Sequence, residues 1–247
     1  MDMISRLPTA FLRARLDRIE KELEEMPKVY VGRHCKSAIV REYYSENGIR
    51  KQHEYALANE KGKALLSLCD RREEITNSAN LIRNLVARRE HTQKIDLRSV
   101  DTIFDEEFWN RLKPSSSGID GERPYEHNGI RMRSRGEVVI AQVLDSMGLT
   151  YKYEVRLQIG DDVYYPDFAV WLPEIGRCFF IEFLGMLDNK NYAYKNGIKI
   201  GNYLNAGIVI NKDILLLCGT KLSMPSSEEI AQDICSLINK YCVIYAV

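Results

Sequence analysis

The chain has 247 residues, with 35 lysines and arginines against 35 aspartates and glutamates, 45% hydrophobic and 28% charged residues. It is long enough to bury a core, as one large domain or as a core with an appended region, and its composition is that of an ordinary globular protein. The N-terminus places charge and proline where a signal peptide needs an apolar run, and the longest aliphatic patch, residues 214–217, is too short to span a bilayer. The expectation is a cytoplasmic protein with no membrane partner. The zero net charge is a cancellation: residues 1–135 hold 26 basic and 22 acidic residues, a net of +4, and residues 136–247 hold 9 and 13, a net of −4. A weakly basic front half beside an acidic back half suits a polyanion-binding arm joined to a metal-binding centre.

In chain order, residues 8–26 carry Leu12, Leu16, Ile19, Leu23 and Met26 at steps of four and three, the stripe of an amphipathic helix. The next stretch is ambiguous: VYV and IVREYY have strand composition, and Asn47-Gly48 is a turn signal that could join a hairpin. A helical period returns over residues 56–89, with Leu65, Leu66, Leu68, Ile75, Leu81, Ile82, Leu85 and Val86. FDEEFWNRL is a short helix, and the following KPSSSGIDGERPYEHNG is a loop by its prolines and glycines. This polar stretch marks the expected boundary between a mainly helical region, residues 1–129, and a second domain, residues 130–247.

Beyond it the pattern becomes regular. GEVVIAQVLDSMG is a helix ended by Gly148. YKYEVRLQI is a strand, Gly160-Asp161-Asp162 a turn, and VYYPDFAVWL and RCFFIEFL are two more strands. NKNYAYKNGIKIGNYLNAG is helical, GIVINKDILLLC ends in a buried strand, and SSEEIAQDICSLINKYC opens on a serine cap and closes as a helix. The order α-β-β-β-α-β-α makes an α/β fold, a mixed sheet flanked by helices.

None of the six cysteines forms a CxxC pair, and Cys178, Cys218 and Cys235 lie in apolar runs, so core thiols are expected rather than disulfides or zinc ligands. The four histidines, His34, His53, His91 and His127, show no metal-ligand spacing. Three acids stand out instead: Glu137 at the start of a helix, Asp167 after Pro166, and Glu182 inside FFIEFL. A carboxylate in such an apolar run needs a cationic partner or it protonates. Asp167 and Glu182 could chelate Mg²⁺ or Mn²⁺, which take hard oxygen ligands and can activate water against a phosphodiester. The plainer alternative has Asp167 capping a turn and Glu182 paired with an arginine or facing solvent.

The order Glu137, Pro166-Asp167, Glu182 resembles the PD-(D/E)XK nuclease superfamily. More narrowly, RSRGEVVIAQVLDSMGLTYKYEVRLQI, YYPDF and IEFLGMLDNKNYAYKNGIKIGNYLNAGI, with Gly185-Met186 and Tyr192, resemble an uncharacterised bacterial branch over about residues 130–240. In that branch the third strand ends in Glu-His-x-Gly-Met and a Lys-Ile/Leu-x-x-Tyr helix follows. The resemblance implies a restriction-endonuclease-like core and a metal-dependent endonuclease. Glu137, Asp167 and Glu182 would be its acidic residues and Mg²⁺ or Mn²⁺ its cofactor, and it would act on nucleic acid, with DNA favoured over RNA. The chain departs from the pattern at Phe183, the histidine position, and at Leu184, the superfamily's lysine position.

Lys195 and Lys199, four apart on one face of the following helix, are candidate substitutes for that lysine. The branch pattern matches Lys199, while a turn near Asp188 followed by a helix of 1.5 Å per residue favours Lys195. Arg131, Arg133 and Arg135 alternate and would share one face of an extended segment, suited to gripping phosphates, with His127 as a further candidate. The alternative to an active nuclease is a catalytically silent nucleic-acid-binding or assembly module. A homodimer or protein partner through the N-terminal stripe is a third expectation.

Overall fold

The computed structural model describes residues 3–34, 37–89, 102–114, 123–159 and 161–245. Cys35, His91, Gly118, Gly121 and Gly160 lie outside the described residues, as does the His34 side chain. The protein is α/β, with six α-helices and mixed sheets among the described residues. It divides into two compact units: Leu12–Lys94, and Met1–Phe11 together with Ile95–Val247. After a 3₁₀ turn at Met3–Arg6 comes α1 (Thr9–Glu25), within which the division falls.

In the Leu12–Lys94 unit, β1 (Lys28–His34), β2 (Ser37–Glu46) and β3 (Ile49–Ala56) form an antiparallel meander. Asn47 and Gly48 both take positive φ, 52° and 76°, the geometry of a tight hairpin turn whose twist matches the strands it joins. α2 (Glu60–Arg89) lays Leu65 against Val29 and Val40, which closes one face of the sheet. The region expected as mainly helical is therefore mixed, because its alternating valines, isoleucines and tyrosines pair as strands. Leu12 and Ile19 of the N-terminal stripe are buried, and Leu16, Leu23 and Met26 half-buried. The stripe is a packing face, not one left open to a partner.

In the other unit, the part after Ile95 opens on α3 (Glu106–Arg111), whose cap Asp105 accepts a bond from the Phe108 N–H. A hairpin follows, β4 (Tyr125–His127) and β5 (Ile130–Met132), turned by Asn128 and Gly129 at φ 49° and 78°. α4 (Arg135–Ser146) leads to β6 (Thr150–Tyr153), β7 (Leu157–Ile159), β8 (Asp162–Tyr164), β9 (Phe168–Leu172), β10 (Arg177–Leu184), α5 (Lys190–Asn205), β11 (Ile214–Cys218) and α6 (Ser227–Tyr245). The main sheet runs β11-β10-β9-β6; β10 is parallel to β11 and antiparallel to β9, and β9 is antiparallel to β6. Two expected strands are each broken in two. YKYEVRLQI breaks at Glu154 (φ 44°), and VYYPDFAVWL breaks at Pro166, which has no N–H for the ladder. The segments between the breaks, β7 and β8, pair as a separate ribbon.

All eight residues of β10 are buried. Cys178 and Phe180 face a cluster that includes Phe104, Trp109, Ala169 and Tyr203, whereas Phe179 meets Tyr241 of α6 and Phe183 meets Gly136 of α4. Phe104 packs edge-on to Phe180 at 5.2 Å, and Trp109 stacks on Trp171 at 5.9 Å. These rings bind the segment from Phe104 to Leu112 to this unit's core, so the chain does not divide at 129/130. Of the described cysteines, Cys178 and Cys242 are buried, Cys69 and Cys235 are half-buried, and all are free thiols. Cys218, expected in the core, is exposed because it ends β11.

Gly136 leaves room for the Phe183 ring: a Cβ there would lie 2.3 Å from the ring and 2.6 Å from the Met224 methyl. Gly136→Ala should lower stability by about 1–3 kcal/mol, the usual cost of overpacking. Phe183→Leu in the same chain should recover part of it, as read by urea unfolding of the single and double variants.

Candidate functional site

The sheet register brings two carboxylates together. Ile181 pairs with Phe168 across β10 and β9, so Glu182 and Asp167 stand opposite one another one step further on. Just after Pro166 the Asp167 side chain takes over from the ladder, its Oδ2 accepting the Phe183 N–H at 2.7 Å. Cross-strand neighbours share a face, and here it is the face covered by α5. From that helix, Lys199 donates to Glu182 Oε1 and to the Tyr165 carbonyl (3.2 Å), and the Tyr203 hydroxyl donates to Glu182 Oε2 at 3.1 Å. Lys199 and Tyr203 are four apart, one helical turn, and so reach the same carboxylate.

Glu182 is 3% exposed and its carboxyl is raised above the usual glutamate range by burial, against the pull of Lys199 and Tyr203. Burial also pushes Asp167 well above the ordinary aspartate range; the neighbouring charge of Glu182 adds to this, and Lys199 opposes it. The pair is thus short of positive charge. Asp167 opens into a cleft of about 650 Å³ that is also lined by Arg133, Lys195, Lys199 and Asn202.

Glu137 is brought close but is held differently. At the third position of α4 its N–H bonds the cap Ser134 Oγ at 3.2 Å. Its carboxylate accepts the Ser134 hydroxyl (2.8 Å), the Arg133 N–H (2.9 Å) and the Tyr153 hydroxyl (2.6 Å). It anchors the helix start and acts on Asp167 and Glu182 through its charge, which raises both.

The two lysines separate. Lys199 contacts Glu182, while Lys195, one turn earlier, lines the cleft and is exposed. Spacing favours Lys195, whereas the contact falls to Lys199, because β10 ends at Leu184 and α5 begins only at Lys190. The five residues between set the helix start further along, and a lysine must lie deeper in the helix to return to Glu182. The three arginines do not share a face. Arg133 pairs with Glu154 beside the cleft, and Arg131 lines a separate depression with Arg123 and Tyr151. Arg135 has entered α4, over the Tyr125 ring. His127 is bonded to Asp145 at 2.6 Å.

Glu154 is the residue the sequence hides. It lies at φ 44°, 3% exposed, with Arg123 and Arg133 both on its carboxylate. Its N–H donates to the Asp167 carbonyl at 2.8 Å, which ties the break in one strand to the break in the next. In YKYEVRL it reads as one polar position of an alternating strand, and only a left-handed glutamate in the folded chain sets it apart.

Among the described residues no group of three histidine, cysteine, aspartate or glutamate side chains meets as a metal-ligand cluster. Among the described residues, no helix is long and apolar enough to cross a membrane. No family model matches the chain, nor does any curated protein or solved structure.

A carboxyl with a pKa higher in the fold than in the unfolded chain favours folding at acid pH, and that contribution is lost as pH rises through the folded value. Asp167 is such a group. Asp167→Asn keeps the acceptor for Phe183 and removes the charge, so the variant should be more stable than wild type at pH 7. Each tenfold change in proton affinity is worth about 1.4 kcal/mol. The advantage should vanish at pH 3, and thermal unfolding across that range measures it.

Proposed function

We propose that the protein is a metal-dependent nuclease with a restriction-endonuclease-like core, hydrolysing phosphodiester bonds of nucleic acid, with DNA favoured over RNA. The observation that carries this reading is the Asp167–Glu182 pair: two carboxylates on adjacent strands, both with raised proton affinity, of which Asp167 lines a cleft together with the cations Arg133, Lys195 and Lys199 and the acids Glu154 and Asp162. The order α4-β6-β9-β10-α5-β11-α6, with β10 between an antiparallel and a parallel neighbour, supports the core assignment.

The donor set fits Mg²⁺ or Mn²⁺, which are commonly held by one or two carboxylates, several waters and the substrate's own phosphates rather than by a full protein cage. Asp167 and Glu182 would hold the ion, and an ion of this kind supplies Lewis-acid polarisation of the phosphodiester and a more acidic attacking water. The chain's own groups do the rest. Lys199 brings an ammonium to the same carboxylate and can orient a hydroxide or neutralise charge developing on the phosphoryl oxygens. Tyr203 fixes the second oxygen of Glu182. Arg133, held by Glu154, offers a cation for an adjacent phosphate. Leu184, where the superfamily has its lysine, is buried, and Lys199 approaches the same face of β10 from the neighbouring helix.

The second reading, a silent nucleic-acid-binding module, draws on one observation: Lys199 already satisfies Glu182. Incubation with single- and double-stranded DNA and RNA in Mg²⁺ or Mn²⁺ separates the two. Cleavage should fall at least a hundredfold in Asp167→Ala, Glu182→Gln and Lys199→Ala, with folding confirmed by circular dichroism. Lys195→Ala should stay within a few fold. Cleavage by Asp167→Ala at the wild-type rate overturns the nuclease reading; binding that survives EDTA with no cleavage in any metal favours the silent module.

A further inference from the structure

The Leu12–Lys94 unit carries a second candidate site that owes nothing to the acid pair. At the end of the meander where β1 begins, a groove of about 770 Å³ is lined by three tyrosines, Tyr30, Tyr43 and Tyr44, and three cations, Lys28, Arg50 and Arg72. Among the described residues, no aspartate or glutamate lines it. Strand register explains how they gather: Lys28 pairs with Tyr43, so Tyr30, two residues on, shares its face, and the β2–β3 hairpin returns Arg50 beside them. Tyr30 meets Tyr43 edge to face at 5.7 Å and is itself 50% exposed. Arg50 lies over the other ring, 4.7 Å from the Tyr43 centroid. Tyr44 is stacked on His53, 5.2 Å away and nearly parallel. Arg72 is fixed at the back of the groove by the Leu23 carbonyl at 2.8 Å.

We propose that this groove binds a single strand of nucleic acid, with Lys28, Arg50 and Arg72 facing phosphates and Tyr30 and Tyr43 stacking on unpaired bases. Charge selects a polyanion. The rings select among polyanions: an acidic peptide needs no aromatic platform, and the bases of a duplex are not open to one, whereas every unpaired base presents a π-face. Arg41, nearby in β2, is paired with Glu54, so the positive charge stays concentrated in the groove. The inference rests on the nuclease reading only for its choice of nucleic acid as the biological ligand; the binding itself needs no metal and no cleavage.

The test uses the full chain carrying Asp167→Asn, in EDTA, with fluorescein-labelled dT₁₂ and U₁₂ in separate arms and fluorescence anisotropy as the readout. Tyr30→Ala with Tyr43→Ala should weaken binding at least tenfold. Arg50→Ala should flatten the dependence of log affinity on log salt by about 0.7, one phosphate contact on a single strand. Tyr30→Phe should bind as the parent does. Tyr30 is half-exposed, so Tyr30→Ala alone serves if the double variant fails to fold, and it should still cost several fold. Tyrosine variants that bind both oligonucleotides as tightly as the parent overturn the inference, as does equal affinity for duplex DNA or equally effective displacement by poly-glutamate. Loss of cleavage in the wild-type chain with this tyrosine-dependent binding intact would sink the nuclease reading and leave the groove assignment standing. Metal-dependent cleavage with no binding in EDTA would do the reverse.

Discussion

A carboxylate in the middle of a buried strand governs the organisation of the second unit. Glu182 lies in β10, where every residue is buried, and its strand neighbours are aromatic or aliphatic. An ion in such a place costs several kcal/mol unless it is paired and hydrogen-bonded. Lys199 and Tyr203 supply both needs from α5. The placement of that helix over the β9–β10 end of the sheet is thus tied to the charge beneath it. Asp167 then adds a second carboxylate beside the first, and burial, reinforced by the charges of Glu182 and Glu137, pushes its proton affinity up. A fold concerned with stability alone gains nothing from setting two acids side by side here. Perturbed groups of this kind in a cleft are what catalytic and metal sites are built from.

The breaks in β6–β7 and β8–β9 follow the same logic. Pro166 ends the ladder so that the Asp167 side chain, not its main chain, meets the next strand. Glu154 departs from strand geometry at the neighbouring position and holds Arg133 at the cleft. Two irregularities on adjacent strands, linked by the Glu154 N–H to the Asp167 carbonyl, shape one end of the sheet into a polar cleft while its centre stays apolar.

Much of this was legible in the residues. The helices at 135–146, 190–205 and 227–245 follow from their periodicity and caps, and the paired acids follow from Pro166-Asp167 and FFIEFL. What stayed hidden depends on relations between elements. Glu154 looks like any polar residue of an alternating strand until its backbone turns left-handed. Choosing Lys199 over Lys195 depends on a five-residue connection whose path no local pattern reveals. The arginines at 131, 133 and 135 alternate in sequence, but the last has already entered a helix, and the alternation ends there. Asn128-Gly129 carries the same hairpin signal as Asn47-Gly48, yet the surrounding prolines and glycines let it pass for loop. The meander in the first unit was visible only as strand composition, and its aromatic groove, made by register across three strands, was not visible at all.

The central claim is that Asp167 and Glu182 form a cation-demanding pair that Lys199 only partly satisfies. Crystals of the protein soaked in Mn²⁺ and measured at the manganese absorption edge test it most directly. The account predicts an anomalous peak within coordination distance of both carboxylates, with the Lys199 ammonium displaced from Glu182. Ordered manganese elsewhere, none at this pair, and Lys199 still bonded to Glu182 would contradict it.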